Sequence, residues 1–316
     1  MLKQINKSIK ILKKSSIFLK ILILLAVIYV IYIFLNKSNC KEGYSNLEHL
    51  DQDIPYLNKK NDEIYDNFYA NIYDDLTYEE NRVNFEIKQI KNLGLLQDYS
   101  VVLDVGCGTG HHVNRISSLK TFKNITCVGI DKSKSMIQQC KKKYPKNNYQ
   151  TKDILKTLSF EQNQFNLILC LHFTVYYTEN KHLFFSNCAH WLMPSGYLVL
   201  HLVNKEKFNP LVPIGETKYL NPQKILNKRI TKTTADIGDI KYIADFKLDD
   251  DNICYFKEKF TNYNTNKTRE NELKLYMEDR ETILNIAKVN GFEISKIIDM
   301  KDCGYDYQYL YVLRLH

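Results

Sequence analysis

Short apolar segments alternate with helical patterns between residues 100 and 203, and this alternation constrains the fold more than any other feature. The predicted strands lie at 101–105, 126–131, 148–153, 165–171 and 196–203. The predicted helices between them lie at 111–119, 133–143 and 182–192. Strands this apolar, separated by helices, indicate an α/β fold in which helices cover both faces of a mostly parallel, doubly wound sheet.

Both flanks of this region have a different pattern. Residues 61–95 predict a helical region, because apolar residues recur at helical spacing and Gly94 ends the run. An insertion at about 204–278 contains three segments of polar alternation that predict antiparallel strands, at 241–249, 253–263 and 270–277. A helix at 280–289 precedes two closing strands, 292–298 and 308–315, which bring the main sheet to seven strands. The insertion is expected either to cover a ligand site or only to extend the sheet.

The segment VVLDVGCGTG, residues 101–110, places three of the chain's 11 glycines at alternate positions directly after the first strand. Ligands of such sheets bind at the carboxyl ends of the strands, where glycine permits a sharp turn and close approach. A dinucleotide site requires G-x-G-x-x-G, whereas the spacing here is G-x-G-x-G. Asp104 would repel a pyrophosphate and attract a cation, and Asp131 can accept hydrogen bonds from ribose hydroxyls. These features imply a cationic nucleoside without phosphates, which fits S-adenosylmethionine.

LDVGCGTG resembles the first motif of the class I S-adenosylmethionine-dependent methyltransferases, which have a Rossmann-like fold, and the similarity extends over about residues 60–203. VGIDKSKSMI (128–137), KDI (152–154), FNLILCLHFTVYY (165–177) and HWLMPSGYLVLH (190–201) resemble later motifs. The resemblance implies that Asp131 binds the ribose, Met136 packs near the adenine and Asp153 meets its amino group. The residues it assigns to cofactor binding are Asp104, Gly106, Cys107, Gly108, Gly110, Asp131, Lys132, Met136, Asp153, Ile154 and Leu171. Asn166 and Ser195 depart from the family pattern, which has Asp and Gly more often.

Methyl transfer depends mainly on proximity and alignment, so few catalytic residues are expected. His172 follows the fourth strand and is a candidate general base or a pocket-wall residue. Tyr176 is a candidate for shaping the substrate pocket, although packing in the core is an equal alternative. We expect no metal site, because adjacent His111 and His112 point in different directions and no CxxC pair occurs.

Residues 17–35, IFLKILILLAVIYVIYIFL, are apolar except for Lys20 and predict an N-terminal transmembrane helix. A basic segment (1–16) precedes it, and a polar linker (36–60) connects it to a methyltransferase domain at 61–316. A cleaved signal peptide and a buried helix are alternatives, but the run is long and no small-x-small cleavage site follows. The lysine-rich start favours a body outside the cytoplasm, whereas unpaired cysteines favour the reducing side, so the side stays open.

The formal net charge of +8 is confined to the N-terminal segment. Residues 1–41 contain eight lysines and no acid, so the other 36 basic residues match the 36 acidic ones. A neutral body disfavours nucleic acid as a substrate. We therefore expect a membrane-anchored methyltransferase with a small-molecule or lipid-like acceptor. The alternatives are a membrane-tethered module that binds the cofactor or methylates proteins, and another transferase on the same fold; the oligomeric state is open.

Overall fold

The computed structural model describes residues 16–18, 21, 24–26, 54–210 and 229–316. Residues 1–48 and 49–316 are separate compact units. No helix within the described residues is long and apolar enough to cross a membrane. The basic segment 1–16 and the predicted span 17–35 lie mostly outside the described residues, although residues 17–18, 21 and 24–26 are helical.

The second unit contains twelve described strands and six described α-helices. In chain order the strands are β1 (Tyr56–Lys60), β2 (Val101–Val105), β3 (Thr126–Asp131), β4 (Asn148–Thr151), β5 (Phe165–Cys170), β6 (Leu192–Val203), β7 (Lys232–Ile237), β8 (Ile240–Leu248), β9 (Ile253–Asn262), β10 (Thr268–Tyr276), β11 (Phe292–Asp299) and β12 (Gln308–Leu315). The helices are α1 (Asn67–Thr77), α2 (Glu80–Asn92), α3 (His111–Ser117), α4 (Lys134–Lys143), α5 (Lys181–Trp191) and α6 (Arg280–Val289).

Seven strands form the main sheet, in the order β11–β12–β6–β5–β2–β3–β4. The strands from β6 to β4 are parallel to their neighbours. β12 pairs antiparallel with β6, and β11 antiparallel with β12. The predicted α/β fold with a mostly parallel seven-stranded sheet is therefore confirmed.

Both faces of the main sheet are buried. Val102, Leu167 and Leu169 pack with α2, α3 and α4 in one core cluster. Ile168 alternates with Leu167 and Leu169 in β5 and therefore faces the other side, as does its partner Leu198 on β6, and both are fully buried. Strands buried on both faces explain why these segments are continuously apolar in the sequence.

Side-chain caps explain where four of the helices begin. Asp66, Ser133, Asn180 and Asp279 each accept a hydrogen bond from a backbone N–H in the first turn of α1, α4, α5 and α6, respectively. Such caps satisfy a donor that the helix itself leaves free, and each contributes about 1 kcal/mol. The sequence therefore sets the start of α1 and α4, two of the helices that border the site described below.

The insertion forms a second sheet of five strands, in the order β1–β10–β9–β8–β7. Three of these strands were predicted, whereas β7 and β1 were not. β1 lies in the predicted linker 36–60 and pairs parallel with β10, so the linker prediction is wrong for residues 56–60. Its sequence, YLNKK, is polar because it forms an edge strand that buries little surface. Residues 211–228 of the insertion lie outside the described residues.

The predicted helical region 61–95 consists of a short 3-10 helix and two α-helices. The 3-10 helix spans Asn61–Ile64, and α1 and α2 follow it. Tyr78 and Glu79 between the α-helices are extended. The helical spacing of apolar residues continues across these two extended residues. The sequence therefore predicted a single helical region, although the chain turns between two helices.

The two departures from the family pattern have structural explanations. The Asn166 side-chain oxygen accepts a hydrogen bond from the Val101 N–H at 2.7 Å, which fastens β5 to the start of β2. Ser195 has a φ of 63° in the left-handed region that favours glycine, and its hydroxyl accepts a hydrogen bond from Arg314. Both positions thus lie in the supporting structure and not in the site.

Candidate functional site

A cavity of about 240 Å³ opens where β2, β3, β4 and β5 end. This is the edge of a parallel sheet at which ligands bind in such folds. The predicted site residues that line it are Asp104, Gly106, Cys107, Gly108, Asp131, Lys132, Met136, Asp153, Ile154, Leu171 and His172. Gly110 and Tyr176 lie outside this lining.

The glycine turn after β2 needs glycine at each of its three positions. Gly106, Gly108 and Gly110 have φ values of 66°, 55° and 87°, which side chains rarely adopt. A Cβ at Gly106 would lie 2.6 Å from a Thr174 methyl group, and one at Gly110 would lie 2.7 Å from the Tyr149 hydroxyl. Gly110 therefore serves the packing of the turn, whereas Gly106 and Gly108 also face the cavity.

Asp104, the last polar residue of β2, is buried beneath the turn with 2% of its surface exposed. Its Oδ2 atom has no hydrogen-bond partner. Burial raises the pKa of this carboxyl to about 7, Glu86 and Asp131 add to the rise, and His112 opposes it. A buried carboxylate without a partner is costly, so the site is complementary to a cationic ligand group.

Asp131 ends β3 and holds the other side of the turn. Its carboxylate accepts hydrogen bonds from the Gly108 N–H at 3.1 Å and the Ser133 N–H at 2.9 Å. Burial raises its pKa to about 6, and the two N–H donors act against this rise. Since each carboxylate oxygen has two lone pairs, Asp131 can still accept hydrogen bonds from a ligand diol.

An apolar slot adjoins Asp131. Met136 and Ile154 line it together with Leu155 and Leu171. The Asp153 side chain accepts a hydrogen bond from the Leu155 N–H at 2.9 Å and is 3.8 Å from the Lys132 ammonium group. A flat aromatic base with an amino group at its edge matches this combination of an apolar slot and a carboxylate.

Arg82 of α2 supplies a buried cation that the sequence reasoning missed. It lines the cavity, is 5% exposed and has an Nε atom without a partner. Burial acts to lower its pKa, but Tyr305, Glu86 and other neighbours together raise it, so the guanidinium stays charged. A single arginine in a helix rich in charged residues gives no signal in the sequence, because only the packing of α2 against the sheet brings it to the cavity.

The loop after β5 carries His172 into the cavity. His172 and Phe173 both have positive φ values, 46° and 67°, which is a strained conformation for such residues. Burial and the charge of Arg82 hold the His172 pKa well below its usual range. Its imidazole is therefore neutral and accepts or donates hydrogen bonds without carrying a charge.

Tyr177, and not Tyr176, faces the cavity. Tyr176 is fully buried, and its hydroxyl accepts a hydrogen bond from the Val203 N–H at 3.0 Å. The predicted pocket-shaping residue is thus a support between the loop and β6. The 3-10 turn at Thr174–Tyr177 explains the difference, because neighbouring side chains in a tight helix point in different directions.

The N-terminal helices form a cover over the glycine turn. Tyr73 of α1 lies above Gly108, since a Cβ on that glycine would be 3.4 Å from its ring. The buried Arg269 of β10 binds both carboxylate oxygens of Asp66, at 2.8 and 3.0 Å, and donates to the Ile64 carbonyl. Asp66 caps α1, so the second sheet holds the cover in place.

The two adjacent histidines have separate partners. His111 contacts Asp74 at 2.8 Å and the Tyr144 hydroxyl at 2.9 Å. His112 contacts Glu86 at 2.6 Å. Among the residues that the structure describes, no group of three or more potential ligands is arranged to hold a metal ion.

Comparisons with known proteins agree with this geometry. Residues 102–196 match the methyltransferase-domain family. A 53-residue segment is 45% identical to a protein named as a methyltransferase, 235L of Invertebrate iridescent virus 6. The chain contains a class I S-adenosylmethionine-dependent methyltransferase domain. The viral match covers 17% of this chain and 19% of that protein, so the chain spans about a fifth of that relative's length.

Solved structures share the fold of this methyltransferase domain. A S-adenosylmethionine-dependent methyltransferase of Clostridium acetobutylicum has a TM-score of 0.59 at 18% identity, over 78% of this chain and 97% of the other. The amino pentose methyltransferase CalS10 of Micromonospora echinaspora, solved with bound S-adenosylmethionine, has a TM-score of 0.53 at 15% identity, over 75% and 92% of the two chains. At these identities the likeness concerns the fold.

The residues of the cavity fit this cofactor. The unpartnered Asp104 carboxylate suits the cofactor's positive amino-acid group. The turn has no room for side chains at Gly106 and Gly110, so its backbone remains accessible to a ligand. Asp131 supplies the acceptors that a ribose diol requires.

Proposed function

We propose that this chain transfers the methyl group of S-adenosylmethionine to a small-molecule acceptor. The observation that carries the proposal is the buried Asp104 carboxylate, which has an unpartnered oxygen at the base of a cavity walled by Asp131. A site with this charge and shape matches a cationic nucleoside better than a phosphate-bearing one, because a pyrophosphate would be repelled.

We assign each part of the cofactor to residues of matching chemistry. Asp104 faces the amino group, Arg82 the carboxylate, and Asp131 the ribose hydroxyls. The base belongs in the slot of Met136 and Ile154. When bound, the cofactor supplies an electrophilic methyl group on a sulfonium.

The protein contributes alignment and the exclusion of water, which together account for much of the rate of such a displacement. The Tyr73 ring covers the turn, and the loop at His172 borders the space beyond it. The lowered pKa of His172 keeps the imidazole neutral but makes it a weak base, which favours orientation of the acceptor by a hydrogen bond over removal of its proton.

A small acceptor is supported by the limited volume of the cavity, about 240 Å³, and by neighbours of the same fold. CalS10 is named as an amino pentose methyltransferase, and KedS8 of Streptoalloteichus as a sugar N-methyltransferase. A lipid-like acceptor would be consistent with the membrane anchor that we propose below.

We also propose that residues 17–35 anchor the chain in a membrane. The support is the apolar run itself, in which the described Ile17, Phe18, Leu24 and Leu25 are exposed. Carbonate extraction of membranes should leave the full chain in the pellet and release a chain that lacks residues 1–35. Protease protection in sealed vesicles would then identify the side of the body. Release of the full chain by carbonate would argue against the anchor.

Titration calorimetry tests the proposed function. The full chain should bind S-adenosylmethionine, and Asp131→Ala should lose binding, whereas Asp236→Ala in the second sheet should retain it. Transfer of labelled methyl groups to a protein-free metabolite extract should follow. Absence of cofactor binding, or unchanged binding by Asp131→Ala, would refute the proposed function.

A further inference from the structure

Tyrosines line the cavity beside the glycine turn and have no place in the cofactor assignments above. Tyr65 and Tyr177 line it together with Tyr73. The Tyr65 hydroxyl donates a hydrogen bond to the Tyr177 hydroxyl at 2.8 Å, and their ring centroids are 6.1 Å apart. Tyr69 packs edge-on against Tyr65 at 5.4 Å. Tyr177 and His172 belong to the same segment after β5, and both line this cavity together with Tyr65.

The tyrosine pair has unused hydrogen-bonding capacity. Two phenols carry two protons, and the bond between Tyr65 and Tyr177 uses one of them. Within the described part of the chain, neither the remaining proton of the pair nor the His172 imidazole has a protein partner. Groups of this kind at a cavity wall are available to a ligand, because leaving them unpaired when water is expelled is costly.

Charge at this end of the cavity disfavours an anionic acceptor. The carboxylates of Glu258 and Asp131 act to raise the pKa of Tyr177, and burial is the largest cause of that rise. Glu258 is buried behind Tyr69, where its oxygens accept hydrogen bonds from Tyr242 and Asn271. The negative potential beside Tyr177 disfavours carboxylate and thiolate acceptors there, whereas the positive charge of Arg82 acts on His172. The space beside Tyr177 tolerates a neutral nitrogen. It also tolerates a positively charged nitrogen, which the faces of tyrosine rings attract.

The groups beside this space are poor proton acceptors at neutral pH. His172 has a lowered pKa, and Tyr65 and Tyr177 have raised ones, so all three are uncharged at neutral pH. An alcohol must lose its proton as it attacks, and it requires a base at that point. A neutral amine attacks through its lone pair and can release its proton afterwards.

We propose that the acceptor atom is an uncharged amine nitrogen, held between the Tyr65–Tyr177 pair and His172. This inference rests on the proposed function. The nitrogen lone pair forms the bond to the methyl carbon while the carbon–sulfur bond breaks and its electron pair stays on sulfur. The products are a thioether and an N-methylammonium ion, which releases its proton to water. His172 accepts an N–H hydrogen bond and turns the lone pair toward the methyl group.

The acceptor atom can be read directly by NMR. The full chain is incubated with S-adenosylmethionine carrying a ¹³C methyl group and a protein-free metabolite extract, and the carbon shift of the transferred methyl distinguishes N-, O- and S-methyl products. N-methyl signals are expected. O- or S-methyl signals as the main products would overturn the amine assignment. Calorimetry with S-adenosylmethionine is run in parallel: bound cofactor without N-methyl product overturns the amine assignment alone, whereas failure to bind overturns the proposed function.

Tyr177→Phe tests the site itself with the amine found in that experiment. Loss of one hydroxyl contact should raise the acceptor KM roughly fivefold or more while the Kd for S-adenosylmethionine stays unchanged. Tyr99→Phe, at an exposed tyrosine, is the matched control and should change neither. An unchanged acceptor KM in both Tyr177→Phe and Tyr65→Phe would remove the acceptor from this part of the cavity.

Discussion

Asp104→Asn should stabilise the protein and weaken cofactor binding at the same time. The folded protein holds the pKa of Asp104 at about 7, against 3.8 in the unfolded chain. A carboxyl with a raised pKa contributes stability that is fully present below the unfolded value and is lost as pH rises through the folded value. Above pH 7 the folded protein therefore carries a buried charge that costs about 4 kcal/mol relative to the unfolded chain.

An amide at position 104 removes that cost but adds a buried donor without an acceptor, at about 1–3 kcal/mol. The cost of the unpaired amide donor does not depend on pH, so it cancels when the stability difference between variant and wild type is compared at two pH values. The stability gained by Asp104→Asn over the wild type should be about 3 kcal/mol larger at pH 8 than at pH 5. Urea denaturation at both values measures this difference, and the exposed Asp251→Asn serves as the control.

Cofactor affinity should respond in the opposite direction. Below pH 7 the wild-type carboxyl must lose a proton before it can pair with a cation, so the Kd should rise about tenfold for each pH unit. Below about pH 6 the dependence should steepen, because Asp131 also becomes protonated. In Asp104→Asn the step near pH 7 should be absent, and the Kd at pH 8 should rise roughly 10- to 100-fold through loss of a charged contact.

Two results would refute the assignment of Asp104. One is a stability gain that is the same at both pH values, which would mean that the carboxyl titrates normally in the folded protein. The other is unchanged affinity of Asp104→Asn for S-adenosylmethionine at pH 8. Calorimetry over the pH range and denaturation are independent, so each result can occur without the other.

Three further substitutions, one of them with a matched control, separate binding from stability. Gly108→Ala should weaken cofactor binding tenfold or more, as measured by calorimetry, whereas Gly238→Ala, at a similar φ with open space, should cost only about 1 kcal/mol of stability. Arg269→Met should cost about 2–4 kcal/mol in urea denaturation and weaken cofactor binding, because Asp66 loses its buried partner. Tyr176→Phe should lose about 1–3 kcal/mol of stability and keep the wild-type Kd, because it orphans a backbone N–H.

The main sheet could be predicted because its strands are buried on both faces. Burial of this kind makes a strand apolar along its whole length, as in the segment 165–170, where the structure agrees within one residue. The helix Arg280–Val289 and the strand Gln308–Leu315 were also predicted with their observed bounds. The edge strands β1 and β7 were not predicted, because they bury little surface and their sequences are therefore polar.

The cofactor side of the site could be predicted because its residues come from consecutive strand ends. A parallel sheet brings those ends together whatever else the chain does, so Asp104, Asp131 and Asp153 needed no knowledge of tertiary packing. Arg82 and Tyr65 reach the same cavity from two elements that precede the main sheet, α2 and the bend before α1. Nothing in their local sequence specifies where those elements pack.

A short series of contacts connects the second sheet to the glycine turn. Arg269 of β10 binds Asp66, Asp66 caps α1, and α1 carries Tyr73 over Gly108. If Arg269 served only the stability of the sheet, its replacement would leave the cofactor Kd of the folded fraction unchanged. A weakened Kd in folded Arg269→Met would instead show that the sheet positions the cover. The insertion would then influence the cofactor site through α1, although no residue of the described β7–β10 strands lines the cavity.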